Sequence, residues 1–84
     1  MKKLYEDTTE GLISFLGERI TVMCANYFYT GVLVGVNDDC IKLTDAGIVY
    51  ETGELSSKMW TDYQELPYDW YVQCAAIESF GVLK

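Results

Sequence analysis

Side chains able to do chemistry gather at one turn of this sequence. Asn37-Asp38-Asp39 breaks the run YTGVLVGVNDDCIKL, Tyr29 to Leu43, between two stretches of alternating apolar residues. Asn and Asp at such a break bond nearby backbone N–H groups, so they are turn formers first. The same carboxylates could order a loop that shapes a nucleotide pocket. Carboxylates repel phosphate, so direct phosphate contact by Asp38 or Asp39 is not expected. Catalysis has little to work with. There is no histidine and hence no Cys–His pair, no G-x-S-x-G segment and no phosphate-binding glycine loop. No two carboxylates stand out as an acid–base couple. The chain therefore reads as a non-enzyme. Cys24, Cys40 and Cys74 are far apart, with no C-x-x-C pair, which argues against a zinc site of clustered Cys and His. No metal and no cofactor are expected.

The aromatic residues Tyr27, Phe28, Tyr29, Trp60, Tyr63, Tyr68, Trp70 and Tyr71 could stack bases, at about 1–3 kcal/mol per base. They could equally fill a core or a subunit interface, and strand alternation puts only half of them on one face. Trp60 and Tyr63 fall in the least regular segment and are the candidates for a ligand or partner contact. The net charge is −7, with six cations at Lys2, Lys3, Arg19, Lys42, Lys58 and Lys84. That balance excludes broad, nonspecific nucleic-acid binding, which needs many phosphate-neutralising cations. Any such site has to be a local positive spot, or one residue repeated around a ring.

These residues must be positioned by a small scaffold. Eighty-four residues make one domain over 1–84; a chain of this size buries only roughly 60–65% of its unfolded surface, and oligomerisation is a common remedy. Asp7 and Glu10 have capping-box spacing before the stripe Leu12, Ile13, Phe15, Leu16, and Gly17 is a natural stop, so a short α-helix is predicted over about 7–16. Period-2 alternation then predicts strands over about 19–24, 27–36, 40–52, 66–74 and 77–83. The third is kinked at Asp45-Ala46-Gly47, and Pro67 starts the fourth. Gly31 and Gly35 inside the second strand mark strong bending or close backbone approach. Residues 53–65 read as a long loop, and Ala75-Ala76 as a tight corner. The fold class is mainly β: a short N-terminal helix and a strongly bent five-stranded antiparallel sheet, a small open barrel. No apolar run approaches the ~20 residues that span a membrane, and Met1 to Glu10 is charged rather than a leader. With an odd number of isolated thiols, this reads as a cytoplasmic protein with no membrane partner.

The order of elements and two segments resemble the Sm/LSm (Sm-like) family. Gly17-Glu18-Arg19-Ile20-Thr21-Val22, Tyr29-Thr30-Gly31-Val32-Leu33 and Asp38-Asp39-Cys40-Ile41-Lys42-Leu43 resemble its first signature, with a one-residue insertion before the last piece. Tyr71-Val72-Gln73-Cys74-Ala75-Ala76-Ile77 resembles the second. Lys42 falls where the family has a base-contacting Asn, Gln73 where it has Arg, and Cys74 where it has Gly. Cys40 stands where the family often offers a ring to a base. The resemblance implies a homo-oligomeric ring in which the fourth strand of one copy pairs with the fifth of the next. That makes Trp70, Tyr71, Val72, Ile77, Phe80 and Val82 interface candidates. It also implies a pore that binds single-stranded RNA or DNA through Asn37, Asp38, Asp39, Lys42, Gln73 and Ala75. Repeating Lys42 around a pore would gather positive charge that no single copy has. A Sm-like or SH3-like assembly module with a protein ligand on the 53–65 loop is the alternative.

Overall fold

Alternation builds the first hairpin. In β1 (Arg19–Cys24), Ile20, Val22 and Cys24 point into the core. This strand lies antiparallel to β2 (Phe28–Val36), from Arg19 opposite Val32 to Met23 opposite Phe28. β2 continues antiparallel to the twelve-residue β3 (Cys40–Glu51). The computed structural model describes residues 11–84. Along β2 the register slips between Thr30 and Val32 and again between Leu33 and Gly35, beside the two glycines marked in the sequence. A β-carbon at Gly31 would sit 3.0 Å from Leu43 Cβ and 3.1 Å from Ala46 Cα. The two backbones approach there as closely as glycine permits, and the sheet bends around that contact.

β3 then serves two partners on its other side. Its second half pairs with β4 (Asp62–Glu65), and its first half pairs with β5 (Trp70–Gln73). The changeover lies at the expected kink, where Asp45 has φ 51°, a left-handed conformation that Asp tolerates better than most residues. The Arg19 guanidinium bonds the Asp45 carbonyl oxygen at 3.1 Å and pairs with its carboxylate. A 3-10 turn, Cys74–Ala76, follows β5 at the predicted corner. β6 (Ile77–Gly81) then pairs with β1, giving the order β4-β3-β2-β1-β6 with β5 alongside β3. Ile20, Val22, Leu33, Ile41 and Leu43 are fully buried, each contributing roughly 1.5–3 kcal/mol of apolar transfer.

Several expectations are corrected. Leu12–Phe15 is a 3-10 turn rather than an α-helix, and Asp7 and Glu10 lie outside the described residues. Gly11 and Gly17, at φ 78° and 89°, bracket too few residues for a helix to hold. Phe15 instead packs edge-on against Phe80, with ring centroids 6.1 Å apart.

The sheet has six strands, not five. Residues 62–65, expected as loop, form β4, and within the expected strand 66–74 only Trp70–Gln73 is strand. Four residues, Leu66–Asp69, stand opposite three, Thr44–Ala46, so β4 and β5 follow one path along β3 with a one-residue excess between them. Pro67, which has no N–H to offer a ladder, sits in that break rather than at a strand start. The last strand ends at Gly81 rather than at residue 83. Tyr63 belongs to β4, not to a loop, and its ring lies over Gly47 in the space a side chain there would fill. Among the described residues no helix is long and apolar enough to cross a membrane.

Candidate nucleic-acid interface

Asn37 builds the turn. Its Oδ1 accepts from the N–H groups of Asp39 at 2.7 Å and Cys40 at 2.9 Å, and its own N–H donates to the Cys40 carbonyl at 3.0 Å. The side chains of Asp38 and Asp39 face solvent. The corner comes to the turn through backbone contacts. The Cys74 N–H donates to the Asp39 carbonyl at 2.8 Å, the Cys74 thiol reaches the Asn37 carbonyl at 3.6 Å, and Cys40 faces Gln73 across the ladder. Asn37, Asp38, Asp39, Gln73 and Ala75 therefore share one lip, made where β3 begins and β5 ends.

Lys42 stands two residues along β3 behind that lip, opposite Tyr71. Its ammonium is 3.6 Å from Asp69 Oδ2 and 5.6 Å from the Tyr71 ring centroid. The Tyr71 phenol, and then Asp69, raise its pKa above the ordinary lysine value, so it stays charged through the neutral range. Lys42, Asn37, Cys40 and Tyr71 line a shallow groove of about 250 Å³. Gln73 and Ala75 line a larger one of about 660 Å³, walled by Tyr27, Tyr29, Trp70 and Tyr71 with Glu78 at its border. Tyr71 is the wall between the two. Asp38, Asp39 and Asp69 outnumber Lys42 around the lip, so in a single copy it repels phosphate.

Of the expected interface residues, Tyr71 and Val82 are each 60% exposed, and Trp70 and Phe80 are about 40% exposed. Val72 is buried in the core of its own chain, so only its backbone could serve an edge, and Ile77 packs half-buried against the same core. β5 pairs with β3 and β6 with β1, and among the described residues neither has a second neighbour. Trp60 is already engaged, its ring centroid 4.3 Å from Lys84 Nζ. The aromatic groove is not legible in the sequence, because long-range pairing of β5 with β3 is what brings Trp70 to Tyr27 and Tyr29. Among the described residues no cluster of three or more Cys, Asp and Glu is arranged to hold a metal ion.

Burial raises the Cys24 thiol pKa, with Glu78 adding to the shift. Burial also raises Cys74, with Cys40, Asp39 and Asp38 adding to it. Raised values favour the neutral thiol in the fold. Their contribution to stability is present below the ordinary thiol pKa and is lost as pH rises through the raised values. The thiolate, not the thiol, attacks iodoacetamide and displaces iodide, so Cys74 should be modified with a pH midpoint above that of a free thiol, read by mass spectrometry of the peptide. A midpoint below it would contradict this environment.

No model of a known protein family matches the chain, and no curated protein matches it.

Proposed function

We propose that the chain is a Sm-like subunit that pairs edge to edge with copies of itself into a homo-oligomeric ring. The ring holds single-stranded nucleic acid, RNA foremost, at the lip of the 37–42 turn and the 73–76 corner. The observation that carries this reading is the hydrogen-bonded union of those two segments, the two places where the sequence resembles the Sm signatures. The apolar edges of β5 and β6 support the ring, because head-to-tail pairing covers both at once and closes when the rotation allows. No bond is made or broken. Gln73 can donate to and accept from a base edge, Tyr71 can stack, and Lys42 can exchange Asp69 for a phosphate. Sequence preference is weak and binding is salt-sensitive.

Short labelled single strands, titrated at low ionic strength, test this. Lys42→Ala combined with Gln73→Ala should weaken binding at least about tenfold, the loss expected for a charge and a hydrogen-bonding amide together, with the oligomer mass unchanged. Binding that ignores both substitutions, or no salt-dependent binding at all, overturns the reading.

The acidic lip and the aromatic groove favour a second reading, a Sm-like or SH3-like module that docks a basic, extended protein segment. Its surface would be the groove of Tyr27, Tyr29, Trp70 and Tyr71 rather than the 53–65 loop, where Trp60 is engaged by Lys84. Under that reading Trp70→Ala abolishes capture of the partner and Lys42→Ala does not.

A further inference from the structure

The connection between β3 and β4 is folded around a cation. The carbonyl oxygens of Thr52, Glu54 and Met59 accept from Lys84 Nζ at 2.8, 2.9 and 2.8 Å. The Trp60 ring caps the same nitrogen, its centroid 4.3 Å away. An ammonium on a lysine has three N–H donors, and here each meets its own acceptor while the indole face supplies a cation–π contact. Gly53, between two of the acceptors, has φ 67°, and a β-carbon there would collide with the Thr61 hydroxyl. The cage thus depends on a glycine and on backbone groups that carry no charge to titrate. Val82–Lys84 lies beyond β6, outside the ladder.

We propose that the 52–60 loop is a receptor for a primary alkylammonium group, filled here by the chain's own Lys84. Three converging carbonyls select for three tetrahedral N–H donors. A planar guanidinium cannot meet all of them, and a quaternary ammonium has none to offer. The same geometry accepts any lysine side chain that can displace Lys84. The site is independent of the lip and of the ring.

The chain has two tryptophans, so a Trp70→Phe background leaves Trp60 as the reporting indole. In that background Lys84→Ala should shift Trp60 emission. Methylammonium chloride should reverse the shift saturably, with half-saturation at about 10 mM or weaker, the ceiling for a ligand of two non-hydrogen atoms. Nα-acetyl-lysine amide should do the same and its Nε-acetylated form should not. Tetramethylammonium and sodium chloride at matched ionic strength should leave the emission shifted. Equal reversal by tetramethylammonium, or no reversal by methylammonium, overturns the proposal. Lys84→Arg, which keeps the charge, provides a second route: emission identical to that of the Lys84 protein would mean that charge alone suffices and would also overturn it.

Discussion

Leu33→Ala is expected to cost about 3–4 kcal/mol of folding stability, within the range for leucine truncation in a packed core. Leu33 is fully buried. It faces Leu43 across β2 and β3, between the two register slips that bend the sheet. Its backbone also anchors the segment leading into β1: its N–H donates to the Glu18 carbonyl at 3.0 Å and its carbonyl accepts from Gly17 N–H at 2.7 Å. Those bonds survive the substitution, so the loss isolates the side chain and its cavity. A domain of 84 residues has roughly 4–13 kcal/mol in total at ~0.05–0.15 kcal/mol per residue, so the variant loses a quarter or more of its stability. Val34→Ala is the control. The Val34 side chain faces outward and is 47% exposed, and the loss should stay below about 1 kcal/mol. Urea unfolding at fixed protein concentration separates the two. Equal losses would contradict the division of β2 into an inward and an outward face.

Phe80→Lys combined with Val82→Lys is expected to abolish the proposed ring. Both residues lie on or just beyond the β6 edge with substantial exposure, and lysines on a strand edge are a natural device against edge-to-edge pairing. Burying two ammonium groups against the β5 edge of the next copy should raise the dissociation constant at least 100-fold, about 2.7 kcal/mol per contact. Light scattering should then report the single-chain mass where the unsubstituted protein shows a multiple of it. Phe80 also touches Phe15, so far-UV circular dichroism should verify that the sheet persists. An unsubstituted protein that is a single chain at micromolar concentration would remove the ring and its pore, while leaving the ammonium cage intact.

What could be read in advance was local. Ile20, Val22 and Cys24 alternate because one face of β1 meets the core, and the Asn37 turn is written in its own side chain, which closes on Asp39 and Cys40. Gly31 and Gly35 announced the bends they allow. β4 stayed hidden because Asp62-Tyr63-Gln64-Glu65 has no apolar alternation; it is strand because β3 offers it a ladder and Tyr63 covers Gly47. Apolar spacing in Leu12–Leu16 suggests a helix over 7–16. Among the described residues, however, the left-handed Gly11 and Gly17 and the Phe15–Phe80 contact hold a different shape. Lys42 and Gln73 lie on β3 and β5, whose pairing is long-range. That Asp69 would face Lys42, and that Lys84 would reach Trp60, depends on chain closure that no short window contains.

The dual partnership of β3 also dictates the sequence of events during synthesis. β1, β2 and β3 follow one another through short turns, so their pairing closes small loops at little entropic cost. β6 reaches β1 only across nearly the whole described chain, Gly81 opposite Thr21. A chain folding as it is made can therefore lay down its β1–β3 meander early, while β5 (Trp70–Gln73) and β6 (Ile77–Gly81), the borders the proposed ring would use, are made later. In the proposed ring, pairing between copies would follow only after both of those borders have formed.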